Sequence, residues 1–251
     1  MSYDVIGRSY SHTRATDPRI AEAIWDALGD ARTVVNVGAG TGNYEPPDRE
    51  VTAVEPSEVM IAQRPPGAAP VVHASAEALP FEDASFDAAM AVLTIHHWSD
   101  WRRGIDELRR VARRVVLLSW DPSFARRLWI AAEYLPQLAE EEGTFPSLAD
   151  QVGAVRALRV TTVPIPHDCL DGFYGAYWRR PHAYLDPQVR AGISVLAKRA
   201  PEELADGLAR LEDDLRTGAW AERHADLLEL EEIDLGYRLL VSGEGAAASA
   251  A

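Results

Sequence analysis

Cysteine is almost missing from this chain. A single one, Cys169, stands among 251 residues, so no internal disulfide can form and the sequence fits a reducing compartment. The chemistry this sequence suggests needs no thiol nucleophile, and Cys169 is expected to be packed or half-exposed. Long apolar runs are missing too. None approaches the roughly 20 residues that span a bilayer, and no signal peptide is read ahead of Tyr3. The expected location is the cytoplasm, with no membrane contact. Basic residues are in the minority: Lys and Arg number 25 against 39 Asp and Glu, a formal net charge of -14 at pH 7. The average field therefore repels phosphates and argues against a nucleic-acid substrate. Metal-binding spacings are missing as well. There is no His-Glu-x-x-His or paired-cysteine pattern, His96 and His97 cannot both face one ion from adjacent positions, and His167-Asp168-Cys169 would make a strained site. No metal is expected.

What the chain does contain is enough apolar residue, 47% against 25% charged, to bury a full core as one domain with an embellishment. Its most informative stretch is Val34-Val35-Asn36-Val37-Gly38-Ala39-Gly40-Thr41-Gly42, followed by Val51-Thr52-Ala53-Val54 and then Glu55. Strand, glycine turn and acid-tipped strand is the order in which a doubly wound sheet holds a nucleoside. The glycines let backbone approach the ligand, and the carboxylate accepts from both ribose hydroxyls. A dinucleotide would need a helix N-terminus after the glycines for its pyrophosphate. Only Asn43 to Glu50 separate Gly42 from the next strand, and Pro46-Pro47 interrupt them, so no regular helix fits. The spacing is also G-x-G-x-G, with Asn43 where the dinucleotide fingerprint has glycine. S-adenosylmethionine (SAM), which has no pyrophosphate, suits this loop better. An NAD(P)-dependent oxidoreductase and a non-catalytic SAM-binding protein are the alternatives.

Further segments add specificity. Ala74-Ser75-Ala76-Glu77-Ala78-Leu79-Pro80-Phe81 leaves a third apolar run, Val71-Val72, and Ser85-Phe86-Asp87 opens a fourth that ends in Thr94-Ile95-His96-His97-Trp98. In whole-motif order, residues 1 to 120 resemble the class I SAM-dependent methyltransferases, in particular the small-molecule group that includes ubiquinone- and menaquinone-biosynthesis enzymes. The resemblance implies that Gly38, Ala39 and Gly40 border the methionine part of SAM and that Glu55, with Pro56 beside it, holds the ribose. It implies Ser75, Ala76 and Glu77 at the adenine, and Leu93 and Thr94 beside the sulfonium. The segment Tyr3 to Arg14 is similar to the family's tyrosine-then-arginine lid, with Tyr10 and Arg14 closing over the cofactor and Arg14 pairing with its carboxylate. Two departures stand out: Asn36 and Ser75 occupy positions where the family often has aspartate.

The implied fold is α/β, a Rossmann-like doubly wound seven-stranded sheet, mostly parallel with an antiparallel last strand, plus a helical insertion. Trp101, Ile105, Leu108 and Val111 recur at helical spacing, with Arg102, Arg103, Arg109, Arg110, Arg113 and Arg114 read as a solvated outer face. A fifth strand is expected at Arg114 to Trp120, a helix from Asp121-Pro122 to Pro136, and strands at 158–166 and 233–241. The resulting divisions are a lid and helix at 1–30, a cofactor-binding core at 31–167 with 233–243, a helical substrate cap at 168–232, and a disordered tail at 244–251.

The cap contains Phe173-Tyr174-Gly175-Ala176-Tyr177-Trp178-Arg179-Arg180. Tyr174, Tyr177 and Trp178 suit a planar or carboxylated acceptor, or else anchor the insertion to its core. The reaction asked of these residues is an in-line displacement at the SAM methyl onto a small organic acceptor. A base is needed only if that acceptor must lose a proton. His97 is the candidate, with His96 and His12 behind it as acceptor contacts; the alternative is that the paired histidines pack against Trp98 and cap the helix near Ser99. Monomer and homodimer are both open.

Overall fold

The computed structural model describes residues 13–143 and 145–243. Tyr10, His12 and the expected tail at 244–251 lie outside the described residues. Two compact units are distinguished. The sheet unit takes Pro18–Asp121, Pro146–Val163 and the described part of Tyr237–Ala251; the helical unit takes the described part of Met1–Asp17 with Pro122–Phe145 and Pro164–Gly236. The second is therefore built from more of the chain than the 168–232 insertion.

The strands, in chain order, are β1 (Thr33–Val37), β2 (Glu50–Val54), β3 (Val71–Val72), β4 (Phe86–Val92), β5 (Ala112–Trp120), β6 (Arg159–Thr162), β7 (Ile165–Pro166), β8 (Glu232–Ile233) and β9 (Tyr237–Val241). Seven of them form one sheet in the order β3-β2-β1-β4-β5-β9-β6. Strands β1 to β5 run parallel, and β9 lies antiparallel between β5 and β6. This is the expected class. The continuous apolar runs explain it: β1 and β5 are buried along almost their whole length, as strands covered on both faces are.

Among the described residues, four α-helices belong to this unit: α1 (Pro18–Leu28), α2 (Glu58–Ala62), α3 (Trp101–Val111) and α4 (Leu148–Val155). Ile105, Leu108 and Val111 of α3 pack with Val35, Val54, Ala89 and Leu117 of the sheet. Each such aliphatic side chain contributes about 1.5–3 kcal/mol by leaving water. Asp100 caps α3 by accepting from the Arg103 N–H at 3.1 Å. One expectation for this segment is corrected. Arg114 is not on the outer arginine face but turned inward on β5, where its Nη1 donates to the Leu28 carbonyl at 2.7 Å. It closes the last turn of α1, and Gly29, at φ +62°, leaves it room: a Cβ there would lie 2.1 Å from that nitrogen.

The expected strands at 158–166 and 233–241 are each divided in two. Residues β6 and β9 join the large sheet, while β7 and β8 pair with each other in the helical unit. The breaks are local: Pro164 offers no amide donor, and Gly236 takes φ +90° with its N–H on the Asp234 side chain.

The helical unit carries α5 (Pro187–Gly192), α6 (Ser194–Ala197), α7 (Pro201–Thr217), α8 (Ala219–Arg223) and α9 (Ala225–Leu228). The regular helix expected from Asp121 to Pro136 is not formed. Pro122–Arg127 winds as a 3₁₀ helix and Ile130–Tyr134 as a π turn, closed by the Leu135 N–H on the Ile130 carbonyl. Leu128, Trp129, Ile130, Ala131, Tyr134 and Leu135 are all buried, so apolar side chains leave this segment in every direction. Packing on several sides, rather than one stripe, sets its winding.

Candidate active site

The sheet reverses its strand order between β1 and β4, and open α/β sheets bind ligands outside the carboxyl ends of the strands at such a point. Three features of the sequence meet there. Gly38, Gly40 and Gly42, with φ of +71°, +54° and +98°, turn the chain away from β1 in a conformation that side chains disfavour. The amides of Gly38 and Ala39 both donate to the Val54 carbonyl, at 2.9 and 3.0 Å, which fastens the turn to the end of β2. Glu55, only 6% exposed, accepts from the Gly40 N–H at 2.8 Å and the Ser57 N–H at 2.9 Å.

The end of β4 closes the other side. Leu93 has φ +51°, uncommon for a residue of its size, and its N–H donates to the Leu118 carbonyl at 2.8 Å. Thr94 is buried against Gly38, and Ile95–His97 form a 3₁₀ turn. The rings of His96 and His97, both half-buried, lie 3.7 Å apart.

Around the loop after β3, Ala76 is buried and Ser75 exposed. Glu77 is tied to the start of α3: one carboxylate oxygen accepts from the Ser99 N–H and hydroxyl, both at 2.8 Å, and from the Asp100 N–H at 3.1 Å. Burial pushes its carboxyl up, but these bonds outweigh it and hold the group below the ordinary range. Pro56 is exposed, with its carbonyl 2.8 Å from the His73 Nε2.

No helix follows the glycine turn before β2 begins, so the structure offers a pyrophosphate no dipole or row of amides there. An acid at a strand tip beside left-handed glycine backbone fits an adenosine-bearing ligand without one.

Residues 35–118 match a family described as a methyltransferase domain. A solved structure from Anabaena variabilis, described as a putative methyltransferase from an antibiotic biosynthesis pathway, is 34% identical with a TM-score of 0.85, over 92% of this chain and 99% of that one. The chain belongs to the class I SAM-dependent methyltransferases. An uncharacterised protein of Mycobacterium tuberculosis is similar at 28% identity over 213 residues, 71% of the enzyme and 78% of that protein. A Thermotoga maritima structure described as a possible histamine N-methyltransferase, 23% identical with a TM-score of 0.52 over 65% of the enzyme and 84% of that chain, shares the fold. The methyltransferase uses SAM as its cofactor.

In the helical unit, the remaining expected site residues are held by the unit's own core. Arg14 forks onto Asp171: Nε donates to Oδ1 and Nη2 to Oδ2, the second at 3.2 Å, with the two side chains 10% and 0% exposed. The guanidinium that the resemblance assigns to the SAM carboxylate is thus also paired with Asp171. Trp178 is buried and donates to the Ile165 carbonyl at 3.1 Å. Tyr177 is buried under the Arg180 guanidinium, 4.7 Å from its ring centre. Tyr174 is half-buried. Burial pushes the Cys169 thiol up to about 12, which leaves it inert.

Sequence reasoning does not single out Glu45 and Arg64, yet both lie against the glycine turn. A sign of them is present: Glu45-Pro46-Pro47 and Arg64-Pro65-Pro66 repeat one pattern with opposite charge.

Proposed function

We propose that the enzyme methylates a small organic acceptor in the cytoplasm and that SAM is held at the carboxyl ends of β1, β2 and β4. In this reading Gly38, Ala39 and Gly40 border the methionine end, Glu55 and Pro56 the ribose, Ser75, Ala76 and Glu77 the adenine, and Leu93 and Thr94 the sulfonium. Bound SAM supplies an activated methyl whose thioether leaving group needs no proton. The chain has to hold the acceptor atom in line, roughly 3–3.5 Å from that carbon, and keep water away. His97 takes a proton where the acceptor carries one. Acceptor selection falls to residues 168–232, through Tyr174, Tyr177 and Trp178, with His12 and His96 as further acceptor contacts.

The observation that carries the small-molecule reading is the Anabaena relative, whose description names antibiotic biosynthesis and whose chain is matched nearly end to end. The net charge of -14 supports it by disfavouring polyanions. Among the described residues no helix is long and apolar enough to cross a membrane.

The test is incubation with methyl-labelled SAM and, in parallel, a library of phenols, amines and carboxylic acids, total RNA, and cell protein. Label in the small-molecule arm is expected; label confined to RNA or protein overturns the proposal. With an acceptor in hand, His97→Ala is expected to lower kcat and leave SAM affinity unchanged, and normal turnover would return His97 to a packing role.

A further inference from the structure

The side chains closest to the glycine turn include a buried ion pair. Arg64, which follows α2, and Glu45, which follows the turn, have side chains 5% and 10% exposed. Nη2 of Arg64 donates to both Glu45 oxygens, at 2.8 and 2.9 Å, and to the Ala69 carbonyl at 3.1 Å. Nη1 donates to the Gly40 carbonyl at 3.3 Å. Glu45 also accepts from the Asn36 amide at 3.3 Å and the Ala69 N–H at 3.4 Å. Gly42 must be glycine beside this pair: its φ is +98°, and a Cβ would lie 3.3 Å from both Arg64 Nη1 and Glu45 Oε2.

Gly40 is thereby held at both ends of its backbone. Its N–H is on Glu55 at 2.8 Å and its C=O on Arg64. A glycine has the widest choice of backbone angles of any residue, so leaving either end loose would let the turn wander. Both members of the ion pair are stiffened by the prolines that follow them, since a residue before proline is restricted to extended conformations. Asn36 fits the same arrangement. Its amide is a donor to Glu45, whereas an acid at that position would set a second carboxylate against the first.

We propose that Arg64, oriented by Glu45, is a positioning residue for SAM: it fixes the Gly40 carbonyl and so the backbone surface that receives the methionine end of the cofactor. It touches neither the methyl group nor the acceptor. This inference rests on the assignment of Gly38 to Gly40 to that end of SAM.

The experiment compares two ligands on the full chain by calorimetry. One is SAM; the other is 5′-methylthioadenosine, which keeps the nucleoside and thioether but lacks the amino-carboxylate. For Arg64→Met we expect the Kd for SAM to rise about tenfold and that for methylthioadenosine by less than about twofold, the loss of one orienting bond felt at one end only. A merely structural role would weaken both ligands alike. Equal weakening, or none, overturns the proposal. If Arg64→Met does not fold, Arg64→Lys keeps the charge but cannot fork between Glu45 and the Gly40 carbonyl, and the same unequal loss is expected. Failure of the unaltered chain to bind SAM would count against the cofactor site itself, a result separate from the ratio measured in the variants.

Discussion

Gly38 and Thr94 interlock where β1 and β4 end. Gly38 has φ +71°, and a Cβ on it would stand 2.2 Å from the Thr94 Oγ1 and 2.9 Å from its Cγ2. The missing side chain just after one strand is the space taken by the side chain just after the other. Gly38→Ala adds a strained angle to a collision and is expected to cost about 2–4 kcal/mol of stability. Adding Thr94→Ala removes Oγ1 and Cγ2 but leaves the Thr94 Cβ 2.9 Å away, so it should restore most of the part due to collision and none of the part due to φ. Urea unfolding of the single and double variants separates the two.

Glu55 performs two tasks in the proposed site, bracing the Gly40 and Ser57 amides and accepting from the ribose. Glu55→Ala is expected to weaken SAM binding by about 1.5–3 kcal/mol. Glu55→Gln, which keeps one carbonyl oxygen, should fall between the two. Calorimetry reads both, and unchanged affinity would remove Glu55 from the cofactor site.

The pairing of Arg14 with Asp171 separates structural from cofactor roles for the chain's first segment. Asp171→Ala takes the carboxylate away from a mostly buried guanidinium and is expected to destabilise the protein by about 3 kcal/mol. Arg14→Met should lower the thermal midpoint while the Kd for SAM changes by less than about twofold, consistent with a guanidinium already engaged. A tenfold loss of SAM affinity would instead place Arg14 on the cofactor.

Arg156 closes α4 in the left-handed region, at φ +53°, with its side chain exposed. Its N–H bonds to the Gly153 carbonyl and the Ala157 N–H to that of Val152, a helix end that favours glycine. Arg156→Gly is expected to stabilise the chain by about 0.5–1 kcal/mol. The midpoint of denaturant unfolding should rise with no change in its slope.

Asp87, Glu107 and Glu77 are among the carboxylates that give the enzyme an acid limit. Asp87 is held below its ordinary value by the amides of Thr33 and Arg32. Glu107 is lowered by the Arg110 guanidinium, against burial, with help from the Leu79 N–H. Glu77 is lowered because its hydrogen bonds outweigh its burial. Folding depresses all three, so the unfolded chain binds more protons in the acid range and stability rises with pH there. Their contribution is complete above the unfolded values, near pH 4, and is lost as pH falls through the depressed ones. Unfolding midpoints should be level between about pH 6 and 8, as far as these groups decide, and fall below about pH 4; Asp87→Asn should flatten that fall.

The legible parts of the fold are those whose cause lies within a few residues. The glycine turn after Val37, the absence of a helix before β2 and the buried stripe of α3 follow from glycine, proline and the 3.6-residue period. The illegible parts have distant causes. Arg114 adjoins an arginine-rich helix in sequence and reads as one of its outer face; only the nearby carbonyl of Leu28, at the end of α1, explains why it turns in. The segment 158–166 reads as one strand because local strand signals do not reveal that its two halves pair with different partners. Asp121 to Pro136 reads as one regular helix until packing on several sides winds it as a 3₁₀ helix and a π turn.

The sequence by itself determined the order of strand, glycine turn, strand and acid, hence the class of sheet and the kind of nucleoside it suits. Backbone freedom at glycine, its restriction at proline and apolar periodicity are properties of the chain locally, whatever surrounds it. Which charge meets which was decided only by the tertiary structure. Arg64 and Glu45 are 19 residues apart, Arg114 and Leu28 are 86, and Arg14 and Asp171 are 157. The energy of such a pair depends on separation and burial in space, and neither is written in the spacing along the chain.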